Sequence, residues 1–342
     1  MWWVLYAVRV LVCGGAGFIG SHVVLELKRV GWEPIIVDNF VNSQLSVLER
    51  LNSLTNTDLQ VCSIDLTDRN EVLELFLKFT PDAIIQLAGL KSVTDSTSDP
   101  LLYYANNLEI TCNVLFAMSQ VKCSKIVFSS SATVYGLPKY LPIDELHTIT
   151  PINPYGRTKY FQEQIIQDWI AAQPYYASAV ILRYFNPVGA DASGMIGEAP
   201  NGVPNNLMPI LGQVAMGERN SVTVLGADYE TRDGTCERDY IHVSDLAAAH
   251  VAALRSHQTD KFEVFNVGTG RGVTVNEAIE AYSALLDKPL PRVIGSRRLG
   301  DAPSSVAAVC KIEKHLNWRS NYTFEDACRH DLRWRRNQRG RT

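Results

Sequence analysis

The chain predicts an α/β fold, a doubly wound parallel sheet followed by a smaller mixed C-terminal domain. Three observations carry this. Short, continuously apolar runs alternate with helix-period stretches through the first half. The first of these runs ends in a glycine cluster that opens a helix, and the alternation breaks down after residue 186. Strands that are apolar along their whole length belong in a parallel sheet covered on both faces.

In order, the apolar run 8–13 reads as the first strand and 20–30 as the first helix. Strands follow over 33–37, 58–63, 83–88, 125–130 and 179–184, with helices over 47–54, 70–79, 101–118 and 154–170 between them. Residues 186–237 cluster Gly, Pro and Asn around one helix, 207–217. A short element returns at 238–243, and a helix over 244–254 has Ser244 at its N-cap with Asp245 beside it. Two domains are expected: 1–185, with 238–265 returning to it, and 186–342. There is no internal repeat and no low-complexity segment.

Composition narrows the function. The 342 residues carry 32 Lys+Arg against 36 Asp+Glu, a formal charge of −4, which gives nothing for a nucleic-acid backbone to bind. The basic excess sits in the last fourteen residues, where Arg329, Arg333, Arg335, Arg336, Arg339 and Arg341 face only Asp331, and reads as a solvated helix end with a frayed tail. Residues 1–12 are apolar but too short to span a bilayer, contain Arg9, and lack the features of a signal peptide. The seven cysteines are scattered, with no Cys-x-x-Cys pair and no metal-ligand spacing, so no metal is expected. A cytoplasmic protein with buried thiols and no membrane partner fits this usage.

The first chemistry is Gly14-Gly15-Ala16-Gly17-Phe18-Ile19-Gly20, directly after a strand and opening a helix. Gly14, Gly17 and Gly20 permit a tight turn and close backbone approach to a pyrophosphate, which the helix N-terminus favours. Asp38 ends the next strand, where a carboxylate accepts bonds from the adenosine ribose hydroxyls and repels a 2′-phosphate. A Rossmann-type domain binding NAD rather than NADP is expected.

Tyr155 and Lys159 stand at i and i+4 at the start of the helix that Pro154 begins, stacked on one face. A phenol has a reference pKa near ~10, and a neighbouring ammonium favours its ionised form. Ser131 closes the strand before it, at the carboxyl end where such sheets bind ligands, and can share the proton. Nicotinamide, Ser, Tyr and Lys together describe hydride transfer at a carbinol carbon.

Further stretches carry a family likeness: Asp38-Asn39-Phe40, Ala88-Gly89-Leu90-Lys91, Ser129-Ser130-Ser131-Ala132-Thr133-Val134-Tyr135-Gly136 and Tyr155-Gly156-Arg157-Thr158-Lys159. So do Arg183-Tyr184-Phe185-Asn186-Pro187, Pro204-Asn205-Asn206-Leu207-Met208-Pro209, Asp233-Gly234-Thr235 and Arg238-Asp239-Tyr240-Ile241-His242-Val243. From Arg9 to about Trp334 the chain resembles the UDP-glucose 4-epimerases (UDP-galactose 4-epimerases) among the extended short-chain dehydrogenase/reductases. The resemblance implies a reversible epimerisation at sugar C4 through a 4-keto intermediate, in galactose metabolism. Tyr155 is the implied proton acceptor, and the tightly bound NAD is regenerated each turnover.

It further implies that the glycine turn with Phe18 and Ile19 holds the cofactor, that Asp38, Asn39, Asn42 and Ser43 lie on the adenosine half, and that Asp65 and Leu66 lie by the adenine. Leu87, Ala88, Gly89, Lys91 and Asn106 would line the pyrophosphate and its ribose, with Asn107 a close rival to Asn106. Ser129, Lys159 and Phe185 would complete the nicotinamide end. Ser131, Ala132, Thr133, Asn186, Asn206 and Leu207 are the implied contacts to sugar and diphosphate. Thr223, Val224 and Leu225 would meet the uracil, and Arg238, Arg298 and Asp301 the phosphates and uridine ribose. The family pairs as homodimers through helices such as 101–118 and 155–170.

The chain departs from the family at Gln86 and Leu87, at Leu225 where an aromatic is usual, and at Leu299, Val306 and Ala308. Ser305 occupies the position whose size governs room for an N-acetyl group at C2, so UDP-GlcNAc and UDP-GalNAc are expected substrates too. A nucleotide-sugar dehydratase would need an acid just after the strand serine, where this chain has Ala132 and Thr133. A catalytically silent NAD- or nucleotide-sugar-binding protein would not need the Ser131, Tyr155 and Lys159 set.

Overall fold

The computed structural model describes residues 8–173, 177–199, 202, 204–256, 261–298 and 300–339. The apolar start 1–7, Leu299 and Arg341 lie outside the described residues. The chain divides into two compact units. The first gathers residues up to Val134, Pro151–Arg183 and His250–Val264; the second holds Tyr135–Thr150, Tyr184–Ala249 and the residues from Phe265 onward.

The first unit alternates strand and helix: β1 (Arg9–Cys13), α1 (Phe18–Arg29), β2 (Glu33–Asp38), α2 (Ser46–Thr55), β3 (Gln60–Ser63), α3 (Arg69–Phe79) and β4 (Ala83–Gln86). Then come α4 (Val93–Ser98), α5 (Pro100–Val121), β5 (Lys125–Ser131), α6 (Pro154–Ala172) and β6 (Ser178–Tyr184). Side-chain oxygens of Asp68, Asp99 and Asn153 cap α3, α5 and α6, and Pro100 and Pro154 stand in the first turns of the last two. The helix α4 escapes periodicity because its six residues, Val-Thr-Asp-Ser-Thr-Ser, have no apolar face; Ser92 caps it instead.

The second unit contains β7 (Asn186–Val188), α7 (Leu207–Ala215), β8 (Val222–Leu225) and β9 (Glu237–His242), followed by α8 (Val243–Arg255) and β10 (Phe262–Val267), whose first parts and last parts divide between the units. β11 (Gly272–Thr274), α9 (Val275–Ser283), β12 (Arg292–Gly295), β13 (Ser304–Ser305), α10 (Cys310–Leu316) and α11 (Phe324–Arg339) complete it.

Seven strands form the large sheet in the order β10-β6-β5-β4-β1-β2-β3. β1 lies parallel to both β2 and β4, so the strand order reverses between β1 and β4, the place where such sheets open a crevice at their carboxyl ends. Register aligns Ile35, Leu11, Ile84 and Ile126 across four strands. This row packs with Leu75, Phe76, Ile110, Val114 and Met118 from α3 and α5. Each such side chain buried contributes about 1.5–3 kcal/mol. Val10, Val12, Ile36 and Ile85, alternating with the row, are buried as well, so both faces are covered.

In the second unit β9 is central. It pairs in parallel with β7 and β13 and antiparallel with β11, while β8 pairs with β12. Its core joins Leu211, Val222, Val224, Tyr240, Ile279, Tyr282 and Leu332. One local expectation changes. Helix α8 begins at Val243, so Ser244 is a first-turn residue; its N–H donates to His242 Nδ1 at 3.0 Å, and the imidazole does the capping. The arginines of α11 are mostly solvated, as expected, but not idle: Arg335 donates twice to buried Asp331, and the exposed Arg333 and Arg339 donate to Ala192 O and Met216 O.

Asp239 ties β9 to two neighbouring segments. Its buried carboxylate accepts from Thr269 N and Oγ1 (both 2.8 Å), Gly270 N (2.9 Å) and Ala307 N (3.2 Å). Asp239→Ala would strand these donors, and a loss of about 3 kcal/mol or more is expected, read as a lower urea midpoint at an unchanged slope.

Candidate active site

The turn from β1 into α1 is made by backbone approaches that a side chain would block. Gly14 has φ +79°, and a Cβ there would sit 2.9 Å from Ala88 N, so the carboxyl ends of β1 and β4 touch. At Gly20 a Cβ would fall 2.0 Å from Gly14 O, so α1 can start beneath the turn only with glycine. Gly17 is the N-cap of α1 and brings no side-chain acceptor to it, which leaves the first-turn N–H groups for an anion.

Asp38 closes β2 with a buried carboxylate that accepts from Ala16 N (3.0 Å), Phe40 N (2.9 Å) and Ser43 Oγ (2.9 Å). It fixes the glycine turn and keeps acceptor capacity for a ribose hydroxyl. Asn39 is exposed and reaches Asp65 at 3.4 Å, and the Thr67 N–H holds the Asp65 carboxyl below its usual range. Asn42 is exposed. The side chain of Leu66 belongs to the core, so only its backbone faces outward chemistry.

Leu87 N donates to Cys13 O at 3.0 Å, and Gln86 donates to Ala88 O at 3.2 Å, securing the loop Leu87-Ala88-Gly89. The Asn pair divides its work. Asn107 is fully buried, accepts from Leu90 N (2.8 Å) and donates to Leu90 O (3.1 Å) and Thr158 Oγ1 (3.2 Å), so it holds this loop to α6. Asn106 stays half-buried and Lys91 is exposed. The glycine cradle, the bare helix N-terminus and Asp38 fit a dinucleotide without a 2′-phosphate.

The helix that carries Tyr155 and Lys159 is placed by another close approach. Asn153 Oδ1 accepts from Gly156 N at 2.8 Å, and a Cβ on Gly156 would meet Thr133 O at 2.8 Å. Glycine after Tyr155 therefore lets α6 lie against the turn that follows β5, bringing the phenol to Ser131. Thr133 donates its N–H (3.2 Å) and hydroxyl (3.0 Å) to Ser131 Oγ, orienting it. Burial pushes the Tyr155 phenol up to about 12, against the pull of the Ser131 hydroxyl.

Lys159 donates to Ser129 O at 2.7 Å, and its Nζ stands 5.9 Å from the Tyr155 ring centroid and 4.9 Å from that of Phe128. Burial pushes it down to about 8, while Glu163 pulls it upward. The lowering of the phenol expected from Lys159 is not seen: burial and Tyr103 raise it, and the Ser131 hydroxyl lowers it. Sequence reasoning passed over Glu163, although its place four residues after Lys159 on the buried face of α6 marked it.

In the second unit, Phe185 is buried with its N–H on Val267 O, and Asn186 is exposed. Asn206 heads α7 and donates to Glu198 at 3.1 Å; Leu207 is half-buried. Along β8, Thr223 is exposed, Leu225 half-buried, and the Val224 side chain lies in the core, leaving its backbone. Arg238 donates to Glu237 O and Ala302 O (both 2.8 Å) and pairs with Asp301 at 3.3 Å. Ser305 is its direct partner across β9 and β13, so Arg238, Asp301 and Ser305 come together. Arg298 is exposed, with its carbonyl accepting from Asp301 N. The altered residues Val306 and Ala308 are zipped onto Ile143 through backbone bonds of 2.8 and 2.7 Å.

Residues 10–268 match the model of the NAD dependent epimerase/dehydratase family. The chain belongs to this family. It is 47% identical over 336 residues to UDP-glucose 4-epimerase 2 of Arabidopsis thaliana, covering 97% of this chain and 96% of that protein. A UDP-glucose 4-epimerase from Bifidobacterium longum, solved with NAD+ and UDP, superposes with a TM-score of 0.93 at 44% identity, over 97% of this chain and 99% of that one. A second, from Stenotrophomonas maltophila with bound NAD and formylated UDP-arabinopyranose, gives 0.94 at 41% identity, over 98% and 100%.

Within this family member, Lys159 carries a stability cost. With a folded pKa of about 8 against 10.5, the unfolded chain binds more protons between those values, so stability rises across that window and the full cost applies below it. Lys159→Met would remove the cost and lose one hydrogen bond. A net gain of about 1–2 kcal/mol at neutral pH is expected, with a flatter stability profile from pH 8 to 10.5 by thermal melts, together with lost activity.

Proposed function

We infer that this chain catalyses reversible epimerisation at C4 of UDP-glucose and UDP-galactose with retained NAD. The observation that carries it is the assembly of Ser131, Tyr155 and Lys159 at the carboxyl end of β5, made possible by Gly156 against Thr133 O. When bound, NAD supplies a hydride acceptor that gives the hydride back, so no net redox occurs. Gly14, Gly17, Phe18 and Ile19 would hold its pyrophosphate, Asp38 the adenosine ribose and Lys159 the nicotinamide ribose.

Tyr155 takes the proton of the sugar 4-hydroxyl as C4 becomes a ketone, acting in its ionised form, which the Lys159 ammonium favours against the burial that opposes it. Ser131 shares that proton, its oxygen already aimed by Thr133. After the 4-keto sugar presents its other face, Tyr155 returns a proton to the oxygen. Holding one phenol beside one serine serves both directions. Asn186, Asn206 and Leu207 bind diphosphate and sugar, the strand Thr223, Val224 and Leu225 the uracil, and Arg238, Arg298 and Asp301 the phosphates and uridine ribose. Serine at 305 leaves room for a C2 N-acetyl group, so UDP-GalNAc and UDP-GlcNAc interconvert as well.

The chain pairs as a homodimer: Leu101 and Leu102 on α5 and Phe161 on α6 are exposed, and Phe161 meets the ring of Tyr104 at 6.1 Å, a shared apolar strip suited to a two-fold contact. All seven cysteines are unpaired, which suits the cytoplasm. No described helix is long and apolar enough to cross a membrane.

Purified protein is expected to convert UDP-galactose to UDP-glucose without added NAD, and to convert UDP-GalNAc too. Tyr155→Phe should lower turnover by about 10²–10⁴, and Ser305→Tyr should abolish only the N-acetyl reaction. Full activity in Tyr155→Phe would place the proton transfer elsewhere. In sedimentation the wild type should run as a dimer and Phe161→Glu as a monomer; a monomeric wild type refutes the pairing.

A further inference from the structure

Behind Tyr155 and Lys159 lies a set of buried charges to which the epimerase reading gives no task. Glu163, one turn after Lys159 on α6, is 2% exposed, and Arg183 on β6 is 5% exposed. Arg183 grips the carboxylate with both prongs of its fork, Nε to Oε1 at 3.0 Å and Nη2 to Oε2 at 2.6 Å. The Ser130 hydroxyl, 1% exposed, donates to the same Oε1.

Ser130 stands between Ser129, whose carbonyl receives Lys159, and Ser131. One carboxylate therefore joins the helix that carries Tyr155 and Lys159 to the strand end that carries Ser131. A buried ion pair is a poor way to add stability, because well-packed apolar side chains do as well. The charges call for another reason.

The electrostatics supply one. Lys159 is 4% exposed and makes no ion pair of its own. The groups facing it are Glu163 and Tyr155 from α6, the Ser129 carbonyl and Phe128 ring from β5, with Arg183 behind Glu163 on β6 and Tyr103 of α5 beyond Tyr155. Glu163 is the one carboxylate among them. Two buried positive charges share it.

We propose that Glu163, clamped by Arg183, is a positioning residue for the proton transfer: it fixes Ser130, and with it the Ser129 carbonyl and Ser131, and its negative charge keeps Lys159 an ammonium. This rests on the epimerase reading. Removing the charge disfavours the ammonium directly.

The test is kcat and KM for UDP-galactose against pH in the wild type, Glu163→Gln, Glu163→Asp and Ser130→Ala, with thermal melts confirming the folded state. In Glu163→Gln the alkaline limb of kcat should move at least about one pH unit toward acid, a loss of about fivefold at the wild-type midpoint that approaches tenfold above it, with KM within about threefold. Glu163→Asp, which keeps the charge, should restore most of the limb. Ser130→Ala should lower kcat without moving it. A Glu163→Gln profile that superimposes on the wild type, or equal damage in the Asp and Gln variants, overturns the proposal. A wild type without turnover sinks the epimerase reading instead. The proposal is then decided by NMR titration of ¹³C-labelled lysines, Lys159 being assigned by its loss in Lys159→Met: a Lys159 midpoint unmoved by Glu163→Gln refutes it.

Discussion

Backbone packed directly on backbone, at points where a Cβ cannot fit, is the constraint on which the first unit depends. Gly14 lets the ends of β1 and β4 meet, Gly20 lets α1 begin under the turn, and Gly156 lets α6 press against the turn after β5. Each approach turns a strand end into part of a site. Without the third, Tyr155 and Lys159 would still share a helix face but would stand away from Ser131. The apolar row through Ile35, Leu11, Ile84 and Ile126 gives these approaches a rigid floor.

Around that floor, polar side chains serve as fasteners before they serve as ligands. Asp38 holds the glycine turn, Asn107 the loop at Leu90, Thr133 the Ser131 hydroxyl, and Asp239 the segments beside β9. Such residues make most of their hydrogen bonds inside the protein, with Asp38 keeping spare acceptor capacity. They preorganise the groups that would meet cofactor and substrate, which is where rate enhancement in sites of this kind originates. Lys159 is the opposite case, a charge kept buried at a cost to stability because its chemistry requires it there.

The second unit shows how a departure from a family pattern can be absorbed. Val306 and Ala308 replace side chains but contribute backbone bonds to Ile143, so the segment stays in place whatever their identity. Ser305 is fixed opposite Arg238 by strand register. In the same way, Val224 sits at an expected base-binding position with its side chain in the core, which leaves recognition there to backbone atoms.

By itself the sequence determined the parallel sheet, the glycine turn with Asp38, and the Ser131, Tyr155 and Lys159 set, because periodicity, glycine spacing and i,i+4 stacking are local properties of the chain. It did not show α4, which has no apolar face, nor that α8 takes its cap from His242, nor that Arg333 and Arg339 of α11 donate to distant carbonyls. The fastening of Asn107 to the Leu90 backbone, the burial that lifts the phenol above its free value, and the joining of Glu163 to Arg183 and Ser130 were decided only by the tertiary structure. Each of these depends on which atoms from distant parts of the chain meet out of water, and desolvation and hydrogen bonding take their magnitude from that meeting.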